Sequence, residues 1–223
     1  MDRFARYHSV VTAGAEGASA NHRVRPVREA DVARLVEVLT RAFDDDPISH
    51  YFFRGDRRRE RGLRRFFDIQ MRHQYLVNGE AWTTDDLGGA ALWMPPGRPR
   101  PGVRDLLRLA LLVTDLLGVG REAPQVARLL AEVERARPSE PHWYLGVLGV
   151  DPPRQRTGVG GALLAEVLGR VDEEGMPSYL ETSKEENLSF YGRHGFVVTG
   201  EVHAPADGPT LWLMWRDPRP PER

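Results

Sequence analysis

The order of strand-like and helix-like segments in these 223 residues predicts an α/β (α+β) fold, a mixed sheet with helices on both faces. Three observations carry that prediction. Short apolar runs rich in β-branched and aromatic residues alternate with stretches of helical periodicity. The apolar fraction, 41%, suffices for a packed core in one domain of this length. An apolar strand, Trp143 to Val150, passes through a proline stop and a glycine-rich turn straight into a strongly periodic helix.

The elements follow in order. Residues 1–21 are rich in Ala, Gly and Ser without sustained periodicity and read as a mobile leader; no long apolar run precedes Gly14, so no signal peptide is expected. His22 to Arg28 alternates like a strand. Glu29-Ala30-Asp31 then starts a helix whose apolar face is Val32, Leu35, Val36, Leu39 and Phe43. Asp44-Asp45-Asp46-Pro47 breaks it, and a second helical region is expected from Pro47 to Val77. Ala81 to Thr84 and Gly89 to Met94 read as a hairpin joined through Asp85-Asp86-Leu87-Gly88. A proline-rich connector leads to two inserted helices between Val103 and Arg137. After the strand at 143–150 and its helix come a short strand, Ser178 to Ser183, another helix, and two closing strands, Phe196 to His203 and Thr210 to Trp215. The order is β-α-α-β-β-(αα)-β-α-β-α-β-β. One domain over 22–216 is expected, with a helical insertion at about 100–137 and a frayed tail over 217–223.

Composition excludes several classes. The net charge of −1 gives no global field for nucleic acid or a membrane surface, and no stretch approaches the roughly 18 apolar residues that a membrane span needs. The chain has no cysteine, which excludes disulfides, cysteine-based zinc sites and a cysteine acyl-enzyme, and fits a cytoplasmic location. Its seven histidines show no metal-ligand spacing, so no metal is expected. The run Arg57, Arg58, Arg59, Arg61, Arg64 and Arg65 reads as a solvated helix face and not a nucleic-acid patch.

The chemistry is concentrated at Gln155-Arg156-Thr157-Gly158-Val159-Gly160-Gly161. Glycines at this spacing leave backbone N–H groups unshielded at the positive end of a helix dipole, which suits a diphosphate. A dinucleotide fingerprint fails because Leu163 stands where the third glycine belongs, and a P-loop fails because no Gly-Lys-Ser/Thr occurs. The helix behind the turn carries Leu163, Leu164, Val167, Leu168 and Val171 on one face. Some thirty residues downstream, Asn187-Leu188-Ser189-Phe190-Tyr191-Gly192-Arg193-His194-Gly195-Phe196 has the pattern N-x-x-F-Y-x-x-x-G-F, with a glycine closing the helix.

Together, Q-x-x-G-x-G after a strand and N-x-x-F-Y-x-x-x-G-F resemble the acyl-CoA loop and last helix of the GNAT acetyltransferase superfamily. Within it, the stretch from Pro138 to Trp215 is similar to the puromycin N-acetyltransferase branch, through Glu140-Pro141, the Tyr-Leu-x-x-x-Gly-Val strand, Leu180-Glu181-Thr182-Ser183, Asn187-Leu188 and Gly208-Pro209-Thr210. The resemblance implies a mostly antiparallel sheet whose central strands splay apart, with acetyl-CoA as co-substrate. It puts the thioester near Leu148, Gly149 and Val150, the pyrophosphate on Gln155 to Gly161, and Asn187 on the CoA arm. Gln155 stands where an arginine is common, leaving Arg154 or Arg156 to supply charge.

Transfer to an amine needs a base, because an alkyl ammonium titrates near pH 10. Glu181, on the strand beside the implied pantetheine slot, is the candidate; the alternative is a salt-bridged strand glutamate. Tyr191 matches the tyrosine that GNAT enzymes use toward the departing thiolate; the alternative is a core aromatic. The expected partners are acetyl-CoA and a small-molecule amine, with no nucleic acid and no membrane, and a homodimer left open. A protein or peptide acceptor and a non-catalytic acyl-CoA sensor are the competing readings. Asp44, Asp45 and Asp46 read as a capping turn before an amine attractor, and His142 as structural before a reserve proton acceptor.

Overall fold

The computed structural model describes residues 22–53, 55–98 and 123–219; the expected leader, the first inserted helix and the last residues of the tail lie outside them. Seven strands form the sheet: β1 (Val24–Pro26), β2 (Glu80–Thr84), β3 (Gly89–Met94), β4 (Trp143–Val150), β5 (Ser178–Thr182), β6 (Val197–His203) and β7 (Thr210–Arg216). Their order is β1-β2-β3-β4-β5-β7-β6, and every neighbouring pair is antiparallel except β4 and β5. That parallel pair follows from the crossover between them, helix α5 (Val159–Glu173).

The other helices are α1 (Val32–Ala42), α2 (Pro47–Phe52), α3 (Asp56–Ile69), α4 (Ala123–Ala136) and α6 (Glu186–Arg193). Asp46 starts α2: its carboxylate accepts from the Ile48 N–H at 2.9 Å, and Pro47 occupies the first turn. The single helical region expected from Pro47 to Val77 is broken in two. Gly55, at φ 86°, turns the chain between α2 and α3. Beyond Ile69, α3 widens into a π turn, Gln70–Tyr75, before a last turn at Leu76–Asn78.

Strand β3 shows how the core is divided. Ala90, Leu92 and Met94 pack toward α1 and α3, whereas Ala91 and Trp93 pack toward α5, as the two-residue period of a strand requires. The buried stripe of α5 is Val159, Leu163, Leu164, Val167, Leu168 and Val171. A third cluster joins Leu129 and Val133 of α4 to Tyr179, Val202 and Leu213.

Strand β4 departs from simple alternation. Leu92 pairs with Val147 and Trp93 with Leu145, so Gly146 is an extra residue without a partner on β3. Before this bulge, Trp143 and Leu145 face α5; after it, Leu148 and Val150 do, while Val147 faces α1. One inserted residue thus exchanges the two faces of the strand. A side chain at Gly146 would collide with the Tyr75 hydroxyl, and one at Gly149 would lie 2.5 Å from the Leu39 side chain and 3.0 Å from Phe43. Both positions demand glycine because neighbouring elements touch the bare backbone.

Candidate active site

The parallel pair separates at the bulge. Trp143, Tyr144 and Leu145 pair with Ser178, Tyr179 and Leu180, and the pairing stops there. From Gly146 onward β4 bonds to β3 alone, while β5 continues on β7 through Glu181 and Thr182. The result is an unpaired strand edge over Gly146 to Val150. A cleft of about 1090 Å³ opens into the gap.

Most of the sequence-predicted residues meet at this cleft. Leu148, Gly149 and Val150 line it from β4, with Gln155, Arg156, Gly158, Gly160 and Gly161 from the turn. Glu181 enters from β5, and Asn187 and Tyr191 from α6. Thr157 and Val159 do not line it. The Thr157 hydroxyl closes the turn by donating to the Arg154 carbonyl at 2.7 Å, and Val159 is buried in the core.

The turn is shaped by its backbone. Pro152–Arg154 makes one 3₁₀ turn, Arg156 sits at φ 62°, and Gly158 at φ 95° opens α5 with no side-chain cap. The first N–H groups of α5 therefore have no partner from a capping side chain. Side chains at Gly160 and Gly161 would meet Phe190 at 3.4 Å and His194 at 3.5 Å, ordinary van der Waals contacts. Arg41 holds the entrance of the turn through two bonds to Asp151, at 2.9 and 2.8 Å. Arg154 is engaged with Asp86 on the β2–β3 hairpin, whereas Arg156 lines the cleft. A bare-amide turn, a cation and an unpaired strand edge fit a molecule that carries a diphosphate and an amide-bearing arm.

At the other end of the cleft, Glu181 is set in a buried polar cluster. Its side chain is 8% exposed and accepts from the Arg137 guanidinium at 3.2 Å. Arg137 also donates to Glu134 at 2.9 Å and lies 4.6 Å above the Tyr144 ring. Burial opposes the charge of Arg137, but Tyr144, Glu181 and Glu134 outweigh it and hold the guanidinium firmly protonated. Burial pushes the Tyr144 phenol well above its ordinary range, and the Glu181 carboxylate adds to the effect. The Tyr191 phenol is 7% exposed; burial raises it, with Asp46 contributing. Aromatic side chains from α1, α2 and α3 (Phe43, Phe52, Phe53, Phe66 and Phe67) wall this end, with Leu129, Leu130 and Val133 of α4.

Sequence reasoning missed Arg137, Glu134, Tyr144, Gln70 and Tyr75. Arg137 lies 44 residues from Glu181 and stands in no recognisable pattern. The three aspartates before α2 are committed elsewhere: Asp44 to Arg59 at 3.0 Å, Asp45 to Lys184 at 2.6 Å, and Asp46 to the α2 cap and the Ser183 hydroxyl at 2.6 Å. His142 is fully buried between the Tyr179 and Trp215 rings and does not reach the cleft. Among the described residues, no group of three or more His, Asp or Glu side chains is arranged to hold a metal ion. No described helix is long and apolar enough to cross a membrane.

Comparison with known proteins agrees with this geometry. Residues 115–196 match the model of the acetyltransferase (GNAT) family. An uncharacterised N-acetyltransferase of Schizosaccharomyces pombe is 28% identical over 204 residues, covering 86% of this chain and 82% of its own. A Corynebacterium glutamicum structure, described as histone acetyltransferase HPA2 and related acetyltransferase, is 28% identical with a TM-score of 0.68, over 91% of this chain and 99% of that one. The PaiA N-acetyltransferase of Thermoplasma acidophilum, solved in complex with coenzyme A, shares the fold at 13% identity, with a TM-score of 0.53 over 87% of this chain and 98% of its own.

Proposed function

We propose that this chain, a member of the GNAT acetyltransferase family, transfers the acetyl group of acetyl-CoA to the amine of a small molecule by direct attack in a ternary complex. The observation that supports this reading most is the continuity of the cleft. One space joins the glycine turn, the unpaired edge of β4, and the Glu181 and Tyr191 side chains. A single volume that reaches both the diphosphate turn and a candidate base allows both substrates to be held at once.

The roles follow from the chemistry of each group. The turn amides from Gly158 to Gly161, with Arg156, bind the diphosphate. The free edge over Gly146 to Val150 pairs with the amide-bearing arm, and a β4 N–H polarises the thioester carbonyl. Such a donor typically contributes about 3 kcal/mol at the developing oxyanion. Glu181 accepts a proton from the attacking amine, directly or through water, and Arg137 fixes its carboxylate. General bases contribute roughly 10²–10⁴-fold. Tyr191 faces the departing thiolate. Because burial strengthens the hold of its phenol on the proton, Tyr191 acts by donating a hydrogen bond, and solvent completes protonation of the thiolate. Asn187 steadies the arm.

Enclosure of the acceptor end by α2, α3 and α4 favours a small amine with an aromatic or planar body, and a puromycin-type aminonucleoside is the first candidate from the branch resemblance. A peptide acceptor is the second reading, favoured by the Corynebacterium protein's description as a histone acetyltransferase. Dependence on acetyl-CoA argues for the cytoplasm. The test is thiol release from acetyl-CoA against a panel of amines that includes puromycin and a lysine peptide. The chain has no cysteine, so every thiol detected is coenzyme A. Release that depends on a small amine and falls at least 100-fold in Glu181→Gln supports the reading. Firm acetyl-CoA binding without release for any acceptor overturns it in favour of a sensor.

A further inference from the structure

The π turn at Gln70–Tyr75 presents three side chains to the cleft at once. Its i→i+5 bonding brings Tyr75 one turn above Gln70, with Gln74 beside it, and all three line the cleft. Gln70 is only 7% exposed, and it stands among phenylalanines. Among the described residues, neither the Gln70 nor the Gln74 amide has a hydrogen-bond partner. The polar atoms of Gln70 are also absent from the groups sealed within the core, so they open onto the cleft. Buried polar side chains are as a rule hydrogen-bonded. Two open amides in an otherwise aromatic wall are therefore placed for a ligand.

We infer that Gln70 and Gln74 form a hydrogen-bonding subsite for the end of the acceptor remote from its amine, so that the enzyme selects amines carrying an uncharged group with both donor and acceptor atoms, such as a carboxamide. Each glutamine offers a carbonyl acceptor and two N–H donors without charge. A carboxylate on the ligand only accepts and an ammonium only donates, so neither satisfies both kinds of atom. Charged side chains line the same cleft, Glu134, Arg137 and Glu181 among them. The two glutamines add neutral donor and acceptor atoms to it, and an acceptor whose amine meets Glu181 can turn its uncharged end to them. Sites built to hydrogen-bond a ligand group reject analogues that lack it far more strongly than apolar pockets reject a size change.

The inference deepens the amine-acetylation reading and rests on it for the orientation of the acceptor. Its test uses two amines that differ at the remote end, 4-(2-aminoethyl)benzamide and 2-phenylethylamine. Affinity is measured by calorimetry on the CoA-saturated protein, and kcat and KM by thiol release. The carboxamide should bind at least tenfold more tightly. Gln70→Leu and Gln74→Leu should each shrink that preference to within about threefold, and the double variant should abolish it, with the loss appearing in KM and not in kcat. Thermal melting confirms folding, and Gln70→Met replaces Gln70→Leu if the latter does not fold. Equal affinity for the two amines in the unaltered protein, or a preference that survives the double variant, overturns the subsite and leaves a water-lined wall only. Failure of every amine to release thiol overturns the acetylation reading instead, and the calorimetric ratio still decides on the subsite.

Discussion

Replacing Gly146 with alanine tests whether the bulge in β4 holds the cleft in its present shape. The new methyl group would collide with the Tyr75 hydroxyl and lie 3.0 Å from the ring carbon that bears it. Tyr75 is 2% exposed and packs in the α1–α3 core, so its ring can yield only toward the cleft that it lines, at the expense of that packing. Overpacking of this kind costs about 1–3 kcal/mol. At roughly 2–4 °C per kcal/mol for a domain of this size, the melting temperature should fall by about 2–12 °C. Tyr75→Phe removes the colliding oxygen and leaves the contact at the ring carbon, which a small shift relieves. Taken alone it costs about 1 kcal/mol, the usual worth of a buried hydroxyl's hydrogen bonding. The two changes must therefore couple: Gly146→Ala with Tyr75→Phe should be at least 1 kcal/mol more stable than the sum of the single effects. Melting curves of the four proteins give the coupling, and the KM for acetyl-CoA reports on the strand edge. Additive losses, or a Gly146→Ala protein that melts within a degree of the parent, would refute the steric argument for the bulge.

Other outcomes follow from the same contacts. Gly158→Val forces a β-branched residue to φ 95°, so it should cost about 1–3 kcal/mol of stability and raise the KM for acetyl-CoA at least tenfold, read by melting and steady-state kinetics. Arg156→Ala should weaken acetyl-CoA binding about tenfold, with the gap narrowing as salt is added, whereas Arg154→Ala should change binding less than twofold because Arg154 is spent on Asp86. Tyr191→Phe should lower kcat about 10–100-fold while leaving the KM for acetyl-CoA within threefold; unchanged kcat with weakened binding would make Tyr191 an orienting group. Asp172 is raised by its burial but lowered more by Arg216, which it meets at 2.6 Å through both oxygens, and by the Arg219 N–H. Its folded pKa lies below 3.8, so the stabilisation is complete above that value and is lost as pH falls through the folded pKa. Asp172→Asn should thus cost about 3 kcal/mol at neutral pH by stranding the buried Arg216, and the difference should shrink in melts run progressively below about pH 4.

How far the site was legible depends on whether residue type alone encodes the geometry. The turn into α5 was legible because its parts have few alternatives. Prolines 152 and 153 stop a strand, a glycine accepts the left-handed φ of position 158, and an apolar stripe at helical spacing declares the helix behind. The hairpin at 80–94 was legible for similar reasons. The bulge was not. Strand β4 reads Trp-Tyr-Leu-Gly-Val-Leu-Gly-Val, apolar or glycine at every position because both its faces are covered. Such a strand has no polar face to mark its register, so the one residue that exchanges its faces leaves no trace in the pattern. The π turn is silent for a related reason. Widening the i→i+4 ladder by one residue asks for no particular side chain, and Gln70 to Tyr75 continue the helical composition before them.

The polar cluster around Glu181 sets a different limit. The sequence reading weighed a catalytic base against a salt-bridged glutamate as alternatives. The structure has the salt bridge, to Arg137 at 3.2 Å, inside the cleft that the base would use. The two descriptions are compatible if one carboxylate oxygen is left to the amine: Arg137 meets Oε1, and the Tyr144 phenol, which also hydrogen-bonds this carboxylate, must share or yield its place. Arg137→Lys separates the possibilities. Lysine keeps the charge but loses the planar fork that spans both glutamates. If Arg137 only braces the fold, stability falls and the pH–rate profile keeps its shape. If it fixes the carboxylate for proton transfer, kcat falls by at least tenfold and the acidic limb of the profile moves while the KM for acetyl-CoA stays put. Arg137 stands at the end of α4, the part of the insertion that the structure describes. On this reasoning α4 completes the site by leading the chain to the cation that orients its base.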